Sequence, residues 1–110
     1  MLAKAENYIS VRATIIGDVR LGNNVSIWPG AVLRADGQPI IIGDNSNIQD
    51  NAVLHADTRS GIVIGKGVSV GHGAIVHGAT IGDNCLIGMG AIVMSEAVVE
   101  HDVIIGSGTL

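Results

Sequence analysis

A chain of 110 residues with a formal net charge of −4 suits one domain spanning 1–110, and with no basic run it argues against nucleic acid or an anionic membrane as partner. It is 47% hydrophobic yet has no Phe, one Trp and one Tyr, so Ile, Val and Ala must fill the core, and sixteen Gly among regular aliphatics point to tight corners rather than disorder. Cys85 stands alone, which excludes an intramolecular disulfide and leaves nothing to argue for an oxidising compartment.

The opening segment MLAKAENYIS lacks the apolar stretch of a signal peptide, and no later stretch reaches membrane-spanning length, so a cytoplasmic protein is expected. From Ile9 an aliphatic residue recurs at a six-residue step through Ile15, Leu21, Ile27 and Leu33. A short insertion precedes Ile42, Ile48 and Leu54, and a second precedes Ile64, Val70 and Val76; the pattern then runs through Ile81, Ile87, Val93, Val99 and Ile105. Four residues after most of these stands a small or β-branched residue, among them Val25, Ala31, Ser46, Ala52, Val68, Ala74, Cys85 and Ala91.

A six-residue step matches neither the period of an α-helix nor a long alternating strand. It matches a short strand followed by a corner, with the aliphatic inward, the small residue tucked into the turn, and Gly or Asn where the backbone needs freedom. Three such faces close one triangular coil of about eighteen residues, and coils stack at roughly 4.8 Å. The expected fold is therefore all-β, a parallel β-helix of about five coils.

Stacking converts sequence into columns. Ile27, Ile48, Val70 and Ile87 head the first face, Leu33, Leu54, Val76 and Val93 the second, and Ile42, Ile64, Ile81 and Val99 the third. The residue after each second-face aliphatic points outward, giving the column Arg34, His55, His77, Met94. His55 and His77 are thus expected on adjacent rungs, close enough to share a metal ion. On the first face another column reads Pro29, Asp50, His72, Met89, with His72 above Asp50. His72 lies on a different face from His77, so one chain is not expected to bring three imidazoles to a point. A threefold homotrimer, setting one chain's second face against the next chain's first, would do so. Three neutral imidazoles with an open fourth position are the ligand set of catalytic zinc, which supplies hydroxide at neutral pH. Against this stands the ordinary case, in which a surface histidine does nothing. His101 falls outside both columns and reads as a solvated or interface residue, Cys85 as a buried inert thiol, and Trp28 as an interface or surface anchor.

The segments VLRAD (32–36), IGDNSNIQDNAVLH (42–55), VGHGAIVHG (70–78) and IGMGAIVM (87–94) together resemble the gamma-class carbonic anhydrase family of hexapeptide-repeat proteins. That resemblance implies a left-handed coil, an exception to the right-handed rule for parallel crossovers. It further implies a homotrimer holding Zn2+, or Fe2+ or Co2+, and reversible hydration of CO2 to bicarbonate by metal-bound hydroxide. By position, His55, His72 and His77 match the metal ligands, Arg34 and Asp50 an intersubunit salt bridge, and Gln49 a residue that hydrogen-bonds metal-bound solvent. Asp36 matches an acidic residue near the entrance, and Asp36 or Asn47 is placed to orient a ligand histidine. The chain departs from the family in three places. The acidic loop after the first histidine is only ADTRSG (56–61), Gly37 stands where a second glutamate is expected, and within 1–110 the C-terminal helix of the family is expected to be absent. Asp57 is the nearest acidic substitute, although a loop-turn role suits it as well. The missing proton shuttles keep open a catalytically weak or inactive metal-binding trimer. A hexapeptide acyltransferase using one histidine as base on a CoA thioester, or a thioesterase, is a further alternative.

Overall fold

In the computed structural model, which describes residues 6–110, every regular element is a strand. In chain order these are β1 (Tyr8–Ile9), β2 (Thr14–Leu21), β3 (Ser26–Ile27), β4 (Val32–Ile42), β5 (Asn47–Ile48), β6 (Val53–Ala56) and β7 (Ile62–Ile64). They are followed by β8 (Ser69–Val70), β9 (Ile75–His77), β10 (Thr80–Ile81), β11 (Leu86–Ile87), β12 (Ile92–Val93), β13 (Val98–Val99) and β14 (Ile104–Ile105). All pairing between them is parallel, each strand lying on one from a neighbouring coil. One sheet runs β1-β3-β5-β8-β11-β14, and a second runs β12-β9-β6-β4-β7-β10-β13 with β2 against β4. The chain is a left-handed parallel β-helix of about five turns.

The expected columns are the observed ones. On the first face Ile9, Ile27, Ile48, Val70, Ile87 and Ile105 stand in register. On the second, Ile15, Leu33, Leu54, Val76 and Val93 do the same. Leu21, Ile42, Ile64, Ile81 and Val99 complete the third. These residues and the small ones between them form one continuous core, and Ile27, Leu33, Ile48, Leu54, Val70 and Ile87 are fully shielded from water. Each such side chain contributes roughly 1.5–3 kcal/mol through burial. Ser46 occupies one small inward position, and its hydroxyl is satisfied there. Oγ donates to Gly65 O at 2.8 Å and accepts from Val68 N at 3.0 Å, so a buried polar group costs nothing uncompensated.

The corners are left-handed at matching positions of successive coils. Asn24 (φ 57°), Asn45 (φ 61°), Gly67 (φ 65°), Asn84 (φ 57°) and Asp102 (φ 60°) form one such column, using the residue types that tolerate this conformation. Asn24 Nδ2 also donates to Asn45 Oδ1 at 2.9 Å, tying one corner to the next. Beside this column, Asp44 Oδ1 accepts from Asn23 N and Asp83 Oδ1 from Lys66 N, each at 2.8 Å.

The two insertions distort the prism on one side only. β2 and β4 run unbroken around the edge between the second and third faces, and their register shifts between Gly17 and Val19. Gly17 pairs with Ala35 and Val19 with Ile40, so Asp36, Gly37, Gln38 and Pro39 bulge out opposite Asp18. The second insertion, 57–61, stacks on that bulge, with Gln38 N donating to Asp57 O at 3.0 Å.

Rung spacing and corner conformation make separable demands on glycine. A Cβ on Gly43 would lie 2.7 Å from the backbone of Gly65, whereas one on Gly90 (φ 68°) would meet nothing within 4 Å. Gly43→Ala should therefore cost about 3 kcal/mol, the upper end for overpacking, and Gly90→Ala only about 1–2 kcal/mol for a left-handed alanine. Urea unfolding of the two variants checks this; equal losses would mean that rung spacing is not the tighter constraint.

Candidate metal centre

His55 on β6 and His77 at the end of β9 are register partners on neighbouring rungs. Both project outward beside inward-facing Leu54 and Val76, because successive strand residues alternate sides. Their ring centroids are 4.7 Å apart with planes at 78°, an edge-on pair. Arg34 lies on the rung below, in register with His55.

The bulge after Ala35 turns Asp36 onto this column. Asp36 Oδ2 stands 2.8 Å from His55 Nε2 and 2.9 Å from Arg34 Nε, while Arg34 Nη2 lies 3.0 Å from the same His55 nitrogen. A guanidinium can only donate, so Nε2 cannot at once accept from Arg34 and give its proton to Asp36. The carboxylate is the stronger partner, which puts the proton on Nε2 and leaves Arg34 paired with Asp36 through Nε. The hydrogen bond from His55 holds the Asp36 carboxyl below the usual aspartate range; burial opposes it, and the charge of Arg34 adds to the lowering.

His77 is held differently. Its Nδ1 lies 2.7 Å from Ser95 Oγ, one coil further along, which leaves Nε2 as the ring nitrogen without a partner among the described residues. Sequence reasoning passed over Ser95, because the coil advances here by seventeen residues, Val76 onto Val93, and puts Met94 rather than Ser95 in the His77 column. Asp57 lies within charge range of both His77 and His55, but its Oδ1 is engaged in its own loop. Its Oδ1 accepts from Ser60 N at 2.7 Å and Arg59 N at 2.8 Å, and these two bonds, Ser60 first, lower its pKa. It is the turn residue of its loop.

The first face carries the other candidates. His72 Nδ1 lies 3.4 Å from Asp50 Oδ1, on the rung above it as expected, and both side chains are about half exposed. A cleft of about 470 Å³ is lined by Ser26, Trp28, Asn47, Gln49, Asp50 and His72. Within it Gln49 Nε2 donates to Asn47 Oδ1 at 3.0 Å, Asn47 Nδ2 to Ser69 Oγ at 2.9 Å, and Trp28 Nε1 to Ser26 Oγ at 3.1 Å. Tyr8 packs on Trp28 with ring centroids 5.0 Å apart. Asn47 therefore steadies Gln49, and it is Asp36 that touches a histidine of the second face.

Among the described residues of one chain, no three His, Cys, Asp or Glu side chains are grouped to hold a metal ion. His55 and His77 are together and His72 is apart, each on its own face. Arg34 pairs within the chain with Asp36, and Asp50 approaches His72. The donor chemistry still fits a divalent ion, since two imidazoles share one outward column and the Nε2 of His77 has no hydrogen-bond partner among the described residues. His101 belongs to the scaffold. Its Nδ1 accepts from Asp83 N at 2.8 Å, as the carboxylates of Asp44 and Asp83 accept backbone amides on other rungs. Cys85 is buried and its Sγ donates to Glu100 O at 2.9 Å.

Comparison with known proteins places these residues in context. Residues 61–95 match the family described as hexapeptide repeat of succinyl-transferase. The mitochondrial gamma carbonic anhydrase 2 of Arabidopsis thaliana is 42% identical over 115 aligned positions, covering 99% of this chain and 41% of that protein. A probable carbonic anhydrase of Methanocaldococcus jannaschii is 49% identical over 70 positions, covering 64% of this chain and 44% of that protein. The crystal structure of a hexapeptide transferase family protein from Anaplasma phagocytophilum superposes with a TM-score of 0.91 at 46% identity, covering 96% of this chain and 61% of that one. The chain thus spans about two fifths of the length of the curated relatives it matches.

The Asp36 contact generates a pH prediction. A depressed carboxylate contributes stability above the usual aspartate range, near pH 4, and loses it as pH falls through the lowered value. His55→Ala should move the Asp36 titration, followed by carboxyl carbon-13 NMR, upward toward the ordinary range. An unmoved titration would assign the effect to Arg34 alone.

Proposed function

Because this chain belongs to the gamma-carbonic-anhydrase-like family of hexapeptide-repeat proteins, we propose that it forms a metal centre interconverting CO2 and bicarbonate. The observation that carries this reading is the His55–His77 pair on adjacent rungs, with His72 on the neighbouring face. A divalent ion, Zn2+ with Fe2+ or Co2+ as alternatives, would be held by the three imidazoles and would supply an acidified water as nucleophile at neutral pH.

The residues divide the remaining work. His55 and His77 of one protomer and His72 of the next bind the ion, which requires His55 Nε2 to release Asp36 if it ligates through that nitrogen. The homotrimer sets the second face of one chain on the first face of another, and Arg34 then reaches Asp50 across the interface. Exposed apolar residues beside both half-sites support such a contact, Ile75 and Met94 near His77 and Trp28 and Met89 near His72. Gln49, steadied by Asn47, donates a hydrogen bond to solvent at the centre, and Asp36 takes up or passes a proton near the entrance. No helix of the described residues is long and apolar enough to cross a membrane, and we place the protein in the cytoplasm, although the Arabidopsis relative is named as mitochondrial.

A second reading, a trimer that binds metal but turns over slowly, is favoured by one observation. Asp57, the nearest acid in the shortened loop, has its Oδ1 held by two backbone amides, which lowers its pKa and makes it a weaker proton donor than a free shuttle. A third, acyl transfer or thioester hydrolysis, is supported by the structural likeness to a hexapeptide transferase family protein, and it predicts CoA-thioester turnover that survives chelation if a single histidine is the base.

Native mass spectrometry of protein purified without added metal or chelator should show a trimer carrying three divalent ions, and His72→Ala and His77→Ala should each lose them. Stopped-flow CO2 hydration by the zinc-loaded trimer should exceed that of free zinc and fall to it in both variants. A metal-free monomer would overturn the proposal, while a loaded trimer without hydration activity would select the second reading.

A further inference from the structure

Ser95 belongs to none of the motifs that carry the metal reading, yet it makes the shortest contact to either imidazole of the second face. Its Oγ lies 2.7 Å from His77 Nδ1. The position is imposed by the backbone. Val93 stacks on Val76, Glu96 N donates to Gly78 O at 2.8 Å, and Glu96 takes a left-handed φ of 66°. Gly78 leaves room for this approach, since a Cβ there would lie 3.2 Å from Ser95 Oγ and 2.6 Å from Ser60 Cβ. With Nδ1 covered by the hydroxyl, Nε2 is the ring nitrogen of His77 open to a metal ion. An imidazole that ligates through Nε2 as a neutral ring carries its proton on Nδ1 and donates it to an acceptor.

We propose that Ser95 is a positioning residue for the metal centre, accepting the Nδ1 proton of His77 so that the ring is held in the tautomer and orientation in which Nε2 can ligate. This rests on the metal-centre reading above. His55 has no equivalent support: its Nε2 is the atom already engaged, by Asp36. The two ligands supplied by one chain are therefore prepared to different degrees, and His77 is the one ready before metal arrives.

The test uses the full chain labelled with nitrogen-15 histidine, metal-free and at pH 8, above the ordinary imidazole pKa of about 6.5. Long-range proton–nitrogen NMR spectra should show His77 protonated on Nδ1 in the native sequence. Ser95→Ala should move the proton toward Nε2 and weaken Zn2+ binding, measured by competition with a chelating dye, about 10- to 100-fold. Ser95→Thr, which keeps the hydroxyl, should restore both. Thermal unfolding of each variant shows whether the coil is intact, and the tautomer of the unsubstituted protein decides the matter even if Ser95→Ala fails to fold. A proton on Nε2 of His77 in the native sequence would overturn the proposal, as would unchanged zinc affinity in a folded Ser95→Ala. Failure of the unsubstituted protein to bind Zn2+ would overturn the metal reading instead, leaving the tautomer result to decide the Ser95 contact.

Discussion

Everything in this molecule depends on the parallel register between successive coils. Each strand is only two to four residues long outside β2 and β4, too short to be stable unless its amides and carbonyls pair with the rungs on either side. Pairing at ladder spacing sets like over like, Ile27 on Ile48 on Val70 on Ile87, so the core is a set of aliphatic columns with no room for an aromatic ring. The same register acts on the outside. It brings His55 and His77 to a centroid separation of 4.7 Å and stands His72 over Asp50, although each pair is separated by about twenty residues of chain.

Corners carry the second constraint, because a coil closes only if its turns repeat. Left-handed backbone recurs down the column from Asn24 to Asp102, and side chains reach from one corner to the next. Asp44, Asp83 and His101 each accept a backbone amide from the coil before, so an imidazole and a carboxylate serve the same purpose at equivalent positions. This is why a histidine that looks like a candidate ligand by type belongs to the scaffold by place.

The insertions are where scaffold becomes site. Regular register alone would leave Arg34, His55 and His77 as a plain outward column. The four-residue bulge against β2 breaks that regularity and swings Asp36 onto His55, and the loop at 57–61 packs against the bulge, with Asp57 Oδ1 capping its own turn. The carboxylate that touches His55 is thus the one on the bulge rather than the one nearest in the following loop. Ser95 reaches His77 by the same logic at the far side, through the tight turn at Gly78.

Sequence alone determined the coil, its three faces, the identity of every core column and the placing of His55 beside His77 and of His72 over Asp50. Those follow from a strict repeat, and a repeat carries its own register because burial tolerates no slip. Membership of the family was legible too, in the segments around the three histidines. What only the tertiary structure decided lies where the repeat is interrupted or where a side chain crosses between coils. The bulge that aims Asp36, the self-capping of Asp57, the Ser95 contact to His77 and the role of His101 all depend on backbone excursions and χ angles. Periodicity says which residues share a rung, but it holds no information about which way a side chain turns once it has left the surface of the prism.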